Sequence, residues 1–352
     1  MEIALLKIIA PTAITFMVGL LVTPFITHWL YKNEMWKKKA GKGTGYGGGA
    51  TPIFDKLHKE KDTNTPRMGG VVIWLSVFIT TVLMWAVSLF GYEQLSFLSR
   101  SQTWLPMLAL AVGALVGFLD DYLVVSGGGK HFAGGLPLSQ RILVVGATAL
   151  FTAWWFYEKL GVSSVSFFTH EIEMGMVFIP FFIIFAIAVY SSSVIDGIDG
   201  LSGGVFMFIF SAYTAIAFYQ NQIDIAALCA AIVGGILAFL WFNIPPARFY
   251  TTETGVMALT MTLTVITFMT DTLADGKGVS VFPVVGFLLV ITVISNVIQV
   301  GSKKIRGKKV FLVAPIHHHF EAIGWPSYKV TMRYWVLGFI CAIVGFLLAI
   351  VL

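Results

Sequence analysis

Two pairs of aspartates, one glutamate and a run of three histidines are the groups in this 352-residue chain best suited to chemistry. Asp120 and Asp121 are adjacent. Asp196 and Asp199 stand in Asp196-Gly197-Ile198-Asp199-Gly200, and Glu253 follows Thr251-Thr252. His317-His318-His319 follows Ala314-Pro315-Ile316, just after the basic run Lys303-Lys304-Ile305-Arg306-Gly307-Lys308-Lys309. Carboxylates drawn from separate segments suit a hard cation. Mg2+ takes oxygen ligands, keeps several waters, and commonly uses one or two carboxylates together with substrate phosphates. Imidazoles and ammonium groups beside such acids suit an anionic, phosphate-bearing substrate.

Each group alone also has a structural reading. An acid pair at a helix end can be a solvated terminus, Asp-Gly repeats make turns, and a histidine run can lie idle on a surface loop. The stretch Gly41–Gly49 looks like a phosphate loop, but it lacks the Lys-Ser/Thr ending and a preceding strand. It reads as a linker within the loop 40–50. What favours chemistry is that the acids, the histidines and most of the lysines are expected to face one compartment.

That expectation comes from the elements that must carry them. Hydrophobic residues are 57% of the chain and charged residues 12%, against roughly 25% charged in a soluble domain. Mean hydropathy is +0.84. Ten apolar runs read as membrane helices: 6–31, 70–90, 103–119, 141–157, 174–195, 200–219, 223–243, 255–272, 279–300 and 334–352. The chain is thus an all-α polytopic membrane protein of about ten transmembrane helices, in one domain over residues 1–352. The first run lacks a cleavage pattern and reads as a retained helix. Cys229 and Cys341 fall inside spans, so neither a disulfide nor a cysteine metal site is expected.

With ten spans, the loops after the odd-numbered ones share a side. They hold 19 of the 23 Lys and Arg, and the two faces net +9 and −4. The basic face is expected to be cytoplasmic, with both termini outside. The lysines around the glycine-rich stretch read as topogenic or lipid-headgroup contacts, and no nucleic acid partner is expected.

The ordered motifs Thr65-Pro66-Arg67-Met68-Gly69-Gly70, Gly117-Phe118-Leu119-Asp120-Asp121-Tyr122, Asp196-Gly197-Ile198-Asp199-Gly200-Leu201, Phe239-Leu240-Trp241-Phe242-Asn243 and Ala314-Pro315-Ile316-His317-His318-His319 are highly specific together. The chain resembles the polyprenyl-phosphate sugar-1-phosphate transferases. The His-His-His-Phe-Glu run, followed by Gly324-Trp325-Pro326 and Arg333, favours the branch that uses an N-acetylmuramoyl donor over the N-acetylglucosamine branch. The resemblance implies a ten-helix fold in a bacterial plasma membrane, with a cytoplasmic active-site cleft. It further implies a Mg2+ cofactor, UDP-N-acetylmuramoyl-pentapeptide as donor and undecaprenyl phosphate as acceptor. The products would be lipid I, for peptidoglycan synthesis, and UMP. Since members of the family often pair, a homodimer is a candidate assembly.

Carried over by position, the resemblance makes Asp120, Asp121 and His317 catalytic. It assigns Lys61, Arg141, Asp196, Asn243, His318 and His319 to substrate binding, and Asp199 and Glu253 to the metal. Lys61 matches only if one residue is inserted after it. This chain also departs from the pattern. Glu253 stands where the family has a metal aspartate, Arg141 and Val124 where it has lysines, and Ser193 where it has an asparagine. Lys130 is a candidate replacement for the lysine lost at Val124. These changes leave open a donor that is another UDP-N-acetyl sugar, or a paralogue that binds polyprenyl phosphate with little or no turnover.

Overall fold

The computed structural model describes residues 2–37, 64–127 and 135–352. Lys61, Lys130 and the glycine-rich stretch lie outside the described residues. The chain forms α1 (Glu2–Lys32), α2 (Val71–Ser88), α3 (Trp104–Ser126), α4 (Leu138–Leu160), α5 (Phe178–Ser191), α6 (Leu201–Tyr219), α7 (Ile223–Asn243), α8 (Thr252–Met269), α9 (Gly278–Val285), α10 (Phe287–Arg306), α11 (Ile316–Ala322) and α12 (Ser327–Val351). Among the described residues, nine helical segments are long and apolar enough to cross a membrane. The tenth expected span is α4. It has 23 residues, about 34 Å of helix, but Arg141 near its start and Glu158-Lys159 near its end lower its apolar content.

α8 is the axis of the bundle, with nearly every residue buried. It is rich in threonine, and Thr260, Thr262 and Thr264 turn their hydroxyls back to carbonyls four residues earlier at 2.7–3.0 Å. Polar side chains are thereby satisfied within their own helix, which a buried position requires. α3 lies against α8 because glycines face the contact. A Cβ on Gly117 would stand 2.2 Å from the Glu253 carbonyl oxygen, and one on Gly113 2.7 Å from the Ala258 Cα. Small residues that let backbones meet are the usual basis of helix packing in lipid.

Three elements differ from the expectation. The third span does not close at Asp120-Asp121: α3 runs on through the apolar Leu123-Val124-Val125 to Ser126. The acid pair therefore sits inside the helix, held by partners from other segments instead of by solvent. The ninth span, 279–300, is two helices. Pro283 has no N–H to donate, and the chain turns at Gly286 between α9 and α10. Finally, a small antiparallel hairpin, β1 (Ser164–Phe167) and β2 (His170–Glu173), links α4 to α5. Asp271 pins it to the α8–α9 link, accepting from the Ser166 amide at 2.8 Å, the Val279 amide at 2.9 Å and the Ser166 hydroxyl.

Candidate active site

The groups singled out by type converge at the opposite end from the hairpin. Their supports explain how. The Asp196–Gly200 turn follows α5 and a 3-10 turn, Ser192–Ile195. Gly200 closes it at φ +74°, a left-handed conformation that glycine adopts without a Cβ penalty. Asn243, buried at the end of α7, clamps the turn to the next loop. Its carbonyl accepts from the Gly200 amide at 2.9 Å, and its amide donates to the Phe249 carbonyl at 2.8 Å. From α12, Thr331 and Trp335 donate to the Asp199 and Gly200 carbonyls, each at 3.0 Å.

Thr252, the first residue of α8, joins two of the acids. Its amide donates to Asp196 Oδ2 at 2.7 Å and its hydroxyl to Asp121 Oδ2 at 2.5 Å. Its φ is +52°, an outlier for a β-branched residue. Strain of this kind persists where surrounding bonds hold it, often at functional sites. Asp121 is fully buried. Beyond Thr252 it receives the Thr254 amide and hydroxyl at 2.8 and 2.6 Å on Oδ2, and Arg67 on Oδ1 at 2.8 and 3.1 Å. Burial works against the Arg67 charge, but Asp121 beside it holds the guanidinium pKa above its ordinary value. Burial likewise pushes the Asp196 carboxyl up from its ordinary range, against the bonds from Ser202 and Thr252.

Asp120, also buried, accepts the Leu136 amide at 2.6 Å and stands 3.9 Å from Arg141 Nε. Arg141 extends from the first turn of α4 and donates through Nη1 to Glu253 Oε1 at 2.5 Å. The Tyr190 hydroxyl of α5 lies 3.4 Å from Glu253 Oε2. Glu253 was expected in a loop but occupies the first turn of α8, where the helix dipole favours an acid.

The histidines divide. His317 and His318 are buried, with ring centroids 4.4 Å apart. They close over Gly197, where a Cβ would come 2.5 Å from His318 Nε2 and 3.0 Å from His317 Nε2. His318 Nδ1 lies 2.7 Å from Glu321 Oε2, and Glu321 accepts from Ser327 at 2.6 Å. His319 points elsewhere: its Nδ1 accepts the Leu312 amide at 3.3 Å, and its ring meets Phe311. The approach to the triplet is strapped to one polar stripe of α10. Gln299 holds both Val310 and Phe311, and Ser295 receives the Ile316 amide. Beyond it, Trp325 stacks on Phe320 at 4.8 Å and carries the Arg333 guanidinium 4.0 Å from its ring.

The structure thus gathers Asp120, Asp121, Arg141, Asp196, Asn243, Glu253, His317 and His318; the Asp199 carboxylate turns to the Ala247 amide at 3.4 Å, and His319 is set aside. Sequence reasoning missed Arg67, Thr252, Thr254 and Tyr190. Arg67 stands in the motif Thr65-Pro66-Arg67-Met68-Gly69-Gly70, but in the sequence its charge reads only as part of the Lys and Arg asymmetry. Thr251-Thr252 ahead of an acid carried the usual signal of a helix start. Tyr190, inside an apolar span, carried no signal. Among the described residues no three carboxylates, histidines or cysteines form a cage for a metal. Donors of this kind fit a Mg2+ ion that one or two carboxylates share with substrate phosphates.

Fold and site define an integral membrane protein with its polar chemistry collected at one rim of a helical bundle. A family model described as "Glycosyl transferase family 4" matches residues 103–271, which hold Asp120, Asp121, Arg141, Asp196, Asn243 and Glu253. The phospho-N-acetylmuramoyl-pentapeptide-transferase of Listeria monocytogenes is 32% identical over 347 residues, covering 97% of this chain and 98% of its own. That of Dichelobacter nodosus is 35% identical, covering 82% of this chain and 81% of its own. That of Geobacillus thermodenitrificans is 30% identical, covering 96% of each. The chain belongs to the phospho-N-acetylmuramoyl-pentapeptide-transferase family.

Proposed function

We propose that this protein transfers phospho-N-acetylmuramoyl-pentapeptide from its UDP-linked donor to undecaprenyl phosphate, giving lipid I and UMP. An oxygen of the acceptor phosphate attacks the sugar-linked phosphorus of the donor. The bond between the two donor phosphates breaks, and UMP leaves. The observation that carries this reading is the meeting of acids from α3, α8 and the Asp196–Gly200 turn with His317 and His318. Phosphoryl transfer needs little covalent help. It needs the attacking and leaving oxygens held in line and their charge neutralised.

Asp120 is the group to position the acceptor phosphate and take its proton. His317 faces the donor diphosphate, with Arg141 as a further cation. Asp121 holds Arg67, Thr252 and Thr254 in place. Asp199 and Glu253 would hold Mg2+, which supplies charge neutralisation at the diphosphate. The site faces the cytoplasm and the termini lie outside, on the strength of the Lys and Arg asymmetry. The test is UMP release by purified protein with UDP-N-acetylmuramoyl-pentapeptide, a polyprenyl phosphate and Mg2+. Release is expected with this donor and not with UDP-N-acetylglucosamine. Absence of release, or release undiminished by a chelator, overturns the reading.

A further inference from the structure

The pair Arg141–Glu253 poses a problem for cation binding. Glu253 is a carboxylate assigned to the metal, yet a guanidinium donates to its Oε1 at 2.5 Å. The same guanidinium stands 3.9 Å from Asp120 Oδ1. Arg141 therefore lies between carboxylates of α3 and α8. Its side chain and that of Glu253 are both largely buried, 18% and 17% exposed, so solvent screens their attraction little. A divalent ion approaching Glu253 must displace a fixed positive charge. An arriving diphosphate offers that guanidinium another partner, which its forked donors suit well.

We propose that Arg141 is a movable counter-ion that caps Glu253 until the anionic donor draws it away, so that nucleotide binding and divalent-cation binding reinforce each other through this side chain. The inference rests on the transferase reading above and adds an order to the loading of its site. Because linkage is reciprocal, the cation must raise nucleotide affinity by the factor by which the nucleotide raises cation affinity. Some coupling would arise from any metal that touches a phosphate. The signature of the cap is different: removing Arg141 should strengthen cation binding in the protein without nucleotide.

The experiment is Mn2+ titration of the purified full chain, read by electron paramagnetic resonance, with and without UDP, which carries the diphosphate but no sugar to transfer. It needs no turnover, so it is separate from the UMP-release assay. In the wild type, Mn2+ alone should bind weakly and UDP should tighten it. In Arg141→Gln, Mn2+ alone should bind about 10-fold more tightly, within the roughly 5–150-fold range usual for coupled sites, and UDP should add less. Adding Glu253→Gln to that variant should abolish the gain. Arg141→Lys, which keeps the charge with one donor head, should show a smaller gain in the same direction and serves if the glutamine variant does not fold. Unchanged or weaker Mn2+ binding in Arg141→Gln, or a gain that survives loss of Glu253, overturns the proposal. A failure here with normal UMP release leaves the transferase reading standing.

Discussion

Replacing Asp121 with asparagine separates two roles that its position allows. The side chain is the same size, but its five hydrogen bonds all come from donors: Arg67 twice on Oδ1, and Thr252 and Thr254 three times on Oδ2. An amide supplies one acceptor oxygen and one NH2 group. If the NH2 faces Arg67, donors meet donors and the guanidinium loses its buried partner. If it faces the threonines, their hydroxyls can rotate to accept, but the Thr254 amide cannot. Either way a buried charge loses its counter-charge, which costs about 3–5 kcal/mol. Asp121→Asn should therefore unfold at markedly lower temperature in detergent, as well as losing activity. Aspartate as a nucleophile predicts the opposite split: turnover abolished at unchanged thermal stability. That result would refute the positioning role and favour a covalent intermediate on Asp121.

Gly197→Ala should abolish activity with little loss of thermal stability, because its Cβ would push His317 and His318 off the turn; His319→Ala should be mild in the same assay. Asn243→Ala strips the Gly200 amide and the Phe249 carbonyl of buried partners, so denaturation should show a loss of about 2–6 kcal/mol, at roughly 1–3 per group. For Asp196 the folded-state pKa is raised. Its contribution to stability is therefore full below the ordinary carboxylate range and lost as pH rises through the raised value. A melting series against pH should fall less steeply on that upward limb in Asp196→Asn. Lys308→Cys should resist a membrane-impermeant thiol reagent applied to intact cells and react once they are opened.

The spans and the grouping of the acids were legible because apolar length and charge asymmetry are additive along a chain. Breaks inside a span were less so. Pro283 and Gly286 did not interrupt the hydropathy of 279–300, although they end the helix. Asp120-Asp121 looked terminal because charge ordinarily marks a membrane edge, and the hydrogen bonds that let α3 continue to Ser126 come from residues over 130 positions away. Separation along the chain also hid Arg67, whose partner is 54 positions on. His317, His318 and His319 are equivalent as letters. The Gly197 contact and the Phe311 loop separate the first two from the third, and Glu321 separates His318 from His317.

Thr252 gives the site a mechanical property of its own. One residue holds Asp121 through its hydroxyl and Asp196 through its amide, in a backbone conformation that its side chain disfavours. Two carboxylates 75 positions apart in sequence thus hang from a single hinge pin. A shift of the Asp196–Gly200 turn is passed to the Asp121 end of α3 through one rigid link, with no loop between them to absorb it. Substitutions at Asp121, Thr252 and Asp196 will accordingly not add, and grafting either acid into a relative requires moving the threonine with it.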